Sequence, residues 1–176
     1  MTRPIFNLAD LTEFRLVGHN GPAIGATRPD RSYEARLGAI STKIGAQKLG
    51  YNLTVVPPGK RAFPRHSHRV NEEMFFILEG EGELQVGGER YALKQGDVVA
   101  CPPGGPETAH QITNTSPAAE LKYLAISTKL SPEVVDYPDS AKTGVYAEFP
   151  PGPDGKPQGM RFLTRSGESL DYCEGD

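Results

Sequence analysis

His66-Ser67-His68 is the first place along this chain where residue type and spacing suggest chemistry. Residues two apart on a strand project to the same face, so both imidazoles can address one point. Imidazoles sharing a point suit a divalent transition metal. Two exposed loop histidines beside Pro64 and Arg65 would look the same in sequence, so the neighbours must decide. Glu73 heads the apolar run Met74-Phe75-Phe76-Ile77-Leu78. A carboxylate there is costly to bury unless its charge is compensated, and a metal ion compensates it directly. Glu72 competes for the role; otherwise one of the pair meets Arg69 and the other is solvated. His110 is a fourth candidate ligand, opening a strand just beyond Pro102-Pro103-Gly104-Gly105-Pro106. The chain has four histidines; the remaining one, His19, lies in a Gly/Asn loop and is expected to face solvent.

These side chains need short strands to hold them. Leu49–Val56 reads as a strand rich in Val, Leu and Tyr, stopped by Pro57-Pro58-Gly59. Glu73–Leu78, bounded by Gly80 and Gly82, reads as a strand covered on both faces. Strands at Glu83–Val86 and Glu89–Leu93 flank Gly87-Gly88, a hairpin signal because tight hairpin turns need positive φ. Val98–Cys101, His110–Asn114 and Glu120–Ser127 complete a series of short strands, each closed by Gly or Pro. Such a series predicts an all-β, antiparallel sandwich or barrel. Residues 46–130 are assigned to the barrel, 1–45 to an N-terminal arm and 131–176 to a C-terminal extension. In the arm, Leu8–Phe14 could form a helical turn and Tyr33–Thr42 one strand. The extension is expected to be irregular, with a Pro/Gly-rich loop at Phe149–Gly155 and a late strand at Arg161–Thr164.

Composition narrows the partners. With 19 basic against 22 acidic residues in 176, nothing suggests a nucleic-acid surface, which would call for a basic patch. No apolar run approaches a membrane span, and residues 1–10 lack the apolar core of a secretory signal. A cytoplasmic protein with Cys101 and Cys173 as free thiols is the expectation.

Gly59 to Gly80, through His66, His68 and Glu73, resembles the first motif of the cupin superfamily. Gly96 to Asn114, through Pro102, Gly104 and His110, resembles the second. Gly59 is one residue further from His66 than the usual pattern has it, and five residues rather than two separate Gly104 from His110. Both changes fall in loops, which tolerate length variation. Tyr137-Pro138-Asp139 also resembles the tail of a set of single-domain cupins.

The resemblance implies a double-stranded β-helix, the cupin jelly-roll barrel. It implies one divalent metal ion (Fe, Mn, Zn or Ni, with Cu also compatible) on His66, His68, Glu73 and His110. The six residues between Glu73 and Gly80 match the cupin count and favour Glu73 over Glu72. Phe75 and Ile77 share Glu73's face by alternation and are expected to line the pocket. Phe76 and Leu78 then face outward, toward the chain's own extensions or, as the resemblance suggests, a second subunit of a homodimer.

Two functions follow. One is a metal-dependent oxygenase, isomerase or decarboxylase acting on a small polar metabolite; the other is a non-catalytic small-molecule binding or sensing module. Tyr51, Arg61, Cys101, Glu107 and Tyr123 lie near the motifs as acid–base candidates. Each has a plainer role: the tyrosines and Cys101 as core or rim residues, Arg61 and Glu107 as solvated side chains.

Overall fold

The computed structural model describes residues 3–18, 32–167, 169–173 and 175. His19 lies outside them. The strands are β1 (Arg15–Gly18), β2 (Glu34–Ala39), β3 (Leu49–Val56), β4 (Ser67–His68), β5 (Glu73–Glu79), β6 (Glu81–Val86) and β7 (Glu89–Lys94). They continue with β8 (Val98–Cys101), β9 (His110–Thr113), β10 (Leu121–Thr128), β11 (Glu133–Tyr137), β12 (Lys142–Phe149) and β13 (Gln158–Arg165). Every paired strand is antiparallel, in three sheets ordered β1-β2-β3-β10-β5-β8, β13-β12-β11-β4 and β7-β6-β9.

The barrel interior follows from alternation. Thr54 and Val56 of β3, Phe75 and Ile77 of β5, and Leu121 and Tyr123 of β10 are all buried. Most of them meet Leu84, Leu93 and Ile112 from the small sheet in one core. Glu73 precedes Phe75 by two residues, so the same periodicity points it into the barrel at its mouth. At the other end of β5, Gly80 has φ +87°, and a Cβ there would lie 2.5 Å from the Glu120 carbonyl oxygen. Only glycine fits that turn.

The outward faces of the same strands are covered by the chain itself. Leu53, Val55 and the partly buried Leu78 and Leu124 pack with Leu11, Phe6 and Phe14 of the arm in a second cluster. Leu11 rests directly on Gly38, where a side chain would occupy the same space. The expected helical turn is a short 3-10 turn at Leu8–Asp10.

The extension departs from expectation. It is not irregular: β11, β12 and β13 form a meander that pairs with β4. The late strand expected at Arg161–Thr164 lies within β13, whereas β11 and β12 mix polar and apolar residues without clean alternation, which hid them. The Pro/Gly-rich stretch lies in the connection between β12 and β13 rather than at an end of structure.

Leu11→Ala should lower stability by about 2–4 kcal/mol, the usual cost of emptying a buried leucine site. Denaturant midpoints check this, and an unchanged midpoint would mean that the arm does not seal the barrel.

Candidate metal centre

His66 and His110 are brought together by the backbone. The His66 N–H donates to the His110 carbonyl at 3.1 Å, and the His110 N–H donates to the His66 carbonyl at 2.8 Å. Residues that exchange both bonds across an antiparallel pair project to the same side. Their rings stand 4.8 Å apart, centroid to centroid. His68, two residues along, is held by β4 opposite Val135 of β11. Glu73 arrives from the other wall, at the start of β5 between Ser127 of β10 and Cys101 of β8.

One oxygen, Glu73 Oε2, lies 3.0 Å from His110 Nε2, 3.4 Å from His68 Nε2 and 3.8 Å from His66 Nε2. Ligands about 2.1 Å from a common ion stand roughly 3.0–3.4 Å apart, so the spacing suits one metal. Candidate ligand atoms of His66, His68 and Glu73 all lie within 4.8 Å of one another. His110 adds its Nε2 to the same carboxylate oxygen.

The outer nitrogens set the tautomers. His66 Nδ1 donates to the Pro64 carbonyl at 2.8 Å. His68 Nδ1 donates to Glu133 Oε2 at 3.3 Å. With Nδ1 protonated, each Nε2 carries its lone pair toward the cluster, the form a metal needs. His68 Nε2 is buried without a hydrogen-bond partner. An orphaned acceptor facing a carboxylate is what a cation would satisfy, so these residues fit the group.

Titration follows the same geometry. Burial, then the charge of His110, lowers the His66 pKa to about 4. Burial would lower His68 too, but the nearby Glu73 carboxylate, reinforced by Glu133, raises it above the ordinary value. Burial pushes Glu73 up, yet the hydrogen bond from His110 and the proximity and charges of His68 and His66 hold it far below the usual carboxylate range.

Glu133 gave no signal that was read in the sequence, although, like Glu73, it is a carboxylate heading an apolar strand. It is buried and accepts from the backbone N–H groups of Val70, Asn71 and Val134, from the Asn71 side chain and from His68. The extension thus supplies the group that orients one of the imidazoles.

Two cavities flank the cluster, and His66, His68 and Glu73 border both. One, of about 310 Å³, opens into the barrel between Phe75, Tyr123, Gln111, Asn52 and Arg15. The other, of about 380 Å³, lies beneath the meander, against Thr128, Tyr137, Tyr146 and Arg161. Phe75 lines the first cavity as expected. Ile77 does not: it is fully buried in the core, one step deeper along β5, and borders neither cavity.

Among the acid–base candidates, Cys101 is buried, and burial with the Glu73 charge raises its thiol pKa to about 12. Tyr123 is raised by burial, then by Glu73, and stays a neutral phenol. Tyr51 packs with the arm on the outer face. Glu107 is exposed, as expected. Arg61 is not simply solvated: it is half-buried, donates to Gln111 Oε1 at 3.2 Å and lies 5.4 Å from the Tyr33 ring. Glu72 is exposed, and Arg69 pairs instead with Asp136 at 2.6 Å.

Residues 52–127 match the family model described as Cupin domain. An uncharacterised protein of Methanocaldococcus jannaschii is 37% identical over 73 residues, 42% of this chain and 54% of that protein. Quercetin 2,3-dioxygenase of Bacillus subtilis is 37% identical over 59 residues, 33% of this chain and 18% of that enzyme. The matched stretches therefore span about half of the first relative and under a fifth of the second. In fold, the chain is similar to a crystal structure of a cupin-superfamily sugar phosphate isomerase from Silicibacter pomeroyi. That likeness has a TM-score of 0.73 at 23% identity and covers 96% of this chain and 98% of that one.

Glu133→Gln should weaken divalent-metal binding about 10–100-fold, the usual effect of losing an outer partner of a ligand. Glu72→Gln should leave it unchanged; the reverse pattern would show that the exposed carboxylate governs the site. Protons compete with metal for imidazole nitrogen. His68, with its raised pKa, is protonated first as pH falls, while His66 stays neutral to about pH 4. Divalent-metal affinity titrated across a pH series should therefore weaken progressively as pH falls through and below the ordinary imidazole range, near pH 6.5. A drop only near pH 4 would contradict this.

Proposed function

We propose that this chain is a cupin and a metal-dependent enzyme of oxygenase, isomerase or decarboxylase type acting on a small polar metabolite. His66, His68, Glu73 and His110 would hold one divalent ion. The observation that carries the proposal is the convergence of three Nε2 atoms on Glu73 Oε2 between two cavities. The B. subtilis relative, a dioxygenase, and the S. pomeroyi structure, described as an isomerase, support reactions of this range.

A bound ion would act as a Lewis acid toward a carbonyl, carboxylate or enol oxygen. Ligand types alone leave Fe, Mn, Zn and Ni open. The chain's residues shape what reaches the cluster. Phe75 packs edge-on to Tyr123 at 5.6 Å and forms an apolar wall that limits water on the barrel side. Gln111 is fixed by its bonds to the Phe63 carbonyl at 2.8 Å and Arg61, and presents a rigid polar edge. Tyr123 and Cys101 keep their protons, so neither acts as a base.

A cytoplasmic homodimer belongs to the same proposal. Exposed Met160 and Phe162 of the edge strand β13 supply apolar surface for a second copy. No helix among the described residues is long and apolar enough to cross a membrane.

Metal-loaded and metal-stripped protein should be incubated with small hydroxy- and keto-acids, with and without dioxygen, and followed by proton NMR. Metal-dependent consumption of at least one compound is expected. Metal-dependent binding without turnover would instead assign the non-catalytic binding role.

A further inference from the structure

The meander is more than a cover, because its register sets one row of side chains against the cluster. Glu133 of β11 is paired with Tyr146 of β12, and Tyr146 with Arg161 of β13. Directly paired residues share a face, so carboxylate, phenol and guanidinium project together. On the same face of β11, Tyr137 lies four residues beyond Glu133. All four border the cavity that also holds His66, His68 and Glu73.

The row is tightly arranged. The Tyr137 and Tyr146 hydroxyls are 3.3 Å apart. One phenol donates to the other, which leaves the second hydrogen for a ligand. The Tyr137 ring is stacked on His66, at 6.0 Å and 27°, next to the cluster. The Arg161 guanidinium lies 5.1 Å from the Tyr146 ring centre and is exposed. No carboxylate pairs with Arg161 among the described residues. The cavity's two carboxylates are already engaged: Glu73 by the imidazoles, and Glu133 by four backbone and side-chain amide partners as well as His68. Gly144, between these residues in the sheet, leaves room for the Tyr146 ring; a Cβ there would come within 3.0 Å of its hydroxyl.

We infer that Arg161, with the Tyr137–Tyr146 hydroxyl pair, forms an oxyanion subsite beside the metal centre. It selects small substrates that carry a metal-binding oxygen group at one end and a carboxylate or phosphate at the other. The inference rests on the metal-centre proposal for the first end. The second end depends only on the meander. A guanidinium offers a planar, always charged fork of donors suited to carboxylate and phosphate. The phenol hydrogen adds a neutral donor on the same side. The subsite lies outside residues 52–127, the stretch that matches the family model, so it is particular to chains with this extension.

The test uses the full-length, metal-reconstituted protein and three probes that share a 2-hydroxy acid end. Lactate has no second anion, malate adds a carboxylate and 3-phosphoglycerate adds a phosphate. Affinities are read by calorimetry. One charged hydrogen-bonded contact corresponds to about tenfold or more in affinity. Malate or 3-phosphoglycerate should therefore bind at least about tenfold more tightly than lactate, and whichever is favoured identifies the anion. Arg161→Gln should abolish that preference while leaving lactate affinity and metal content unchanged. Tyr146→Phe, which keeps the ring, should reduce the preference in part. Equal binding of all three probes by the native protein, or a preference that survives Arg161→Gln, would overturn the subsite. If the native protein takes up no metal, the metal-centre proposal fails on elemental analysis, separately from this one. The subsite is then decided by inorganic phosphate binding to the metal-free protein: it must be present in the native chain and lost in Arg161→Gln, and its absence overturns the subsite.

Discussion

The constraint on which this molecule turns is a largely buried carboxylate. Glu73 exposes 18% of its side chain at the mouth of an otherwise apolar barrel, and three imidazoles face it. Burying a charge without compensation is expensive. The chain meets the cost with structure: a backbone pair that sets His66 beside His110, a strand that adds His68, and Pro64 and Glu133 to fix two of the rings. Compensation by imidazoles alone requires one of them to be protonated. A divalent ion achieves it with all of them neutral, which is why this cluster suits a metal better than an ion pair.

The rest of the architecture follows from holding that cluster still. The barrel presents Glu73 because Phe75 and Ile77 must face inward on the same strand. The arm covers the outer face, so that β5 and β10 can be apolar on both sides. The meander pairs with β4 and so fixes the strand that carries His68. Asn71 ties these parts together. Its side chain reaches Glu133 and the Leu130 carbonyl at 2.9 Å, and accepts from Thr128 at 2.8 Å. Asn71, within the matched stretch 52–127, is thus held by Thr128, Leu130 and Glu133 just beyond it.

Much of this was legible in the sequence, for identifiable reasons. Strands with strong alternation and Gly or Pro stops were readable almost to the residue: β3 and β8 begin and end where the pattern places them. The convergence of His66, His68, Glu73 and His110 was readable because few histidines are present, His66 and His68 are spaced by two, and Glu73 and His110 open strands. Strands β11 and β12 were missed because they mix polar and apolar residues without clean alternation and sit next to a Pro/Gly-rich connection that looks like an end. Glu133 was missed with them, since its role appears only when β11 lies against β4. Ile77 was placed at the cavity because alternation gives the face of a residue but not its depth. Arg61 was read as solvated because its partners, Tyr33 and Gln111, are distant in sequence.

Elemental analysis of the purified, tag-free protein beside His110→Ala tests the central claim most directly. His110 is the deepest of the imidazoles, with 4% of its side chain exposed, and it holds Glu73 Oε2 at 3.0 Å. Near-stoichiometric divalent metal in the native protein, lost in His110→Ala with the fold retained by circular dichroism, is the predicted result. A native protein that stays metal-free after reconstitution, or a variant that keeps its metal in full, would contradict the account.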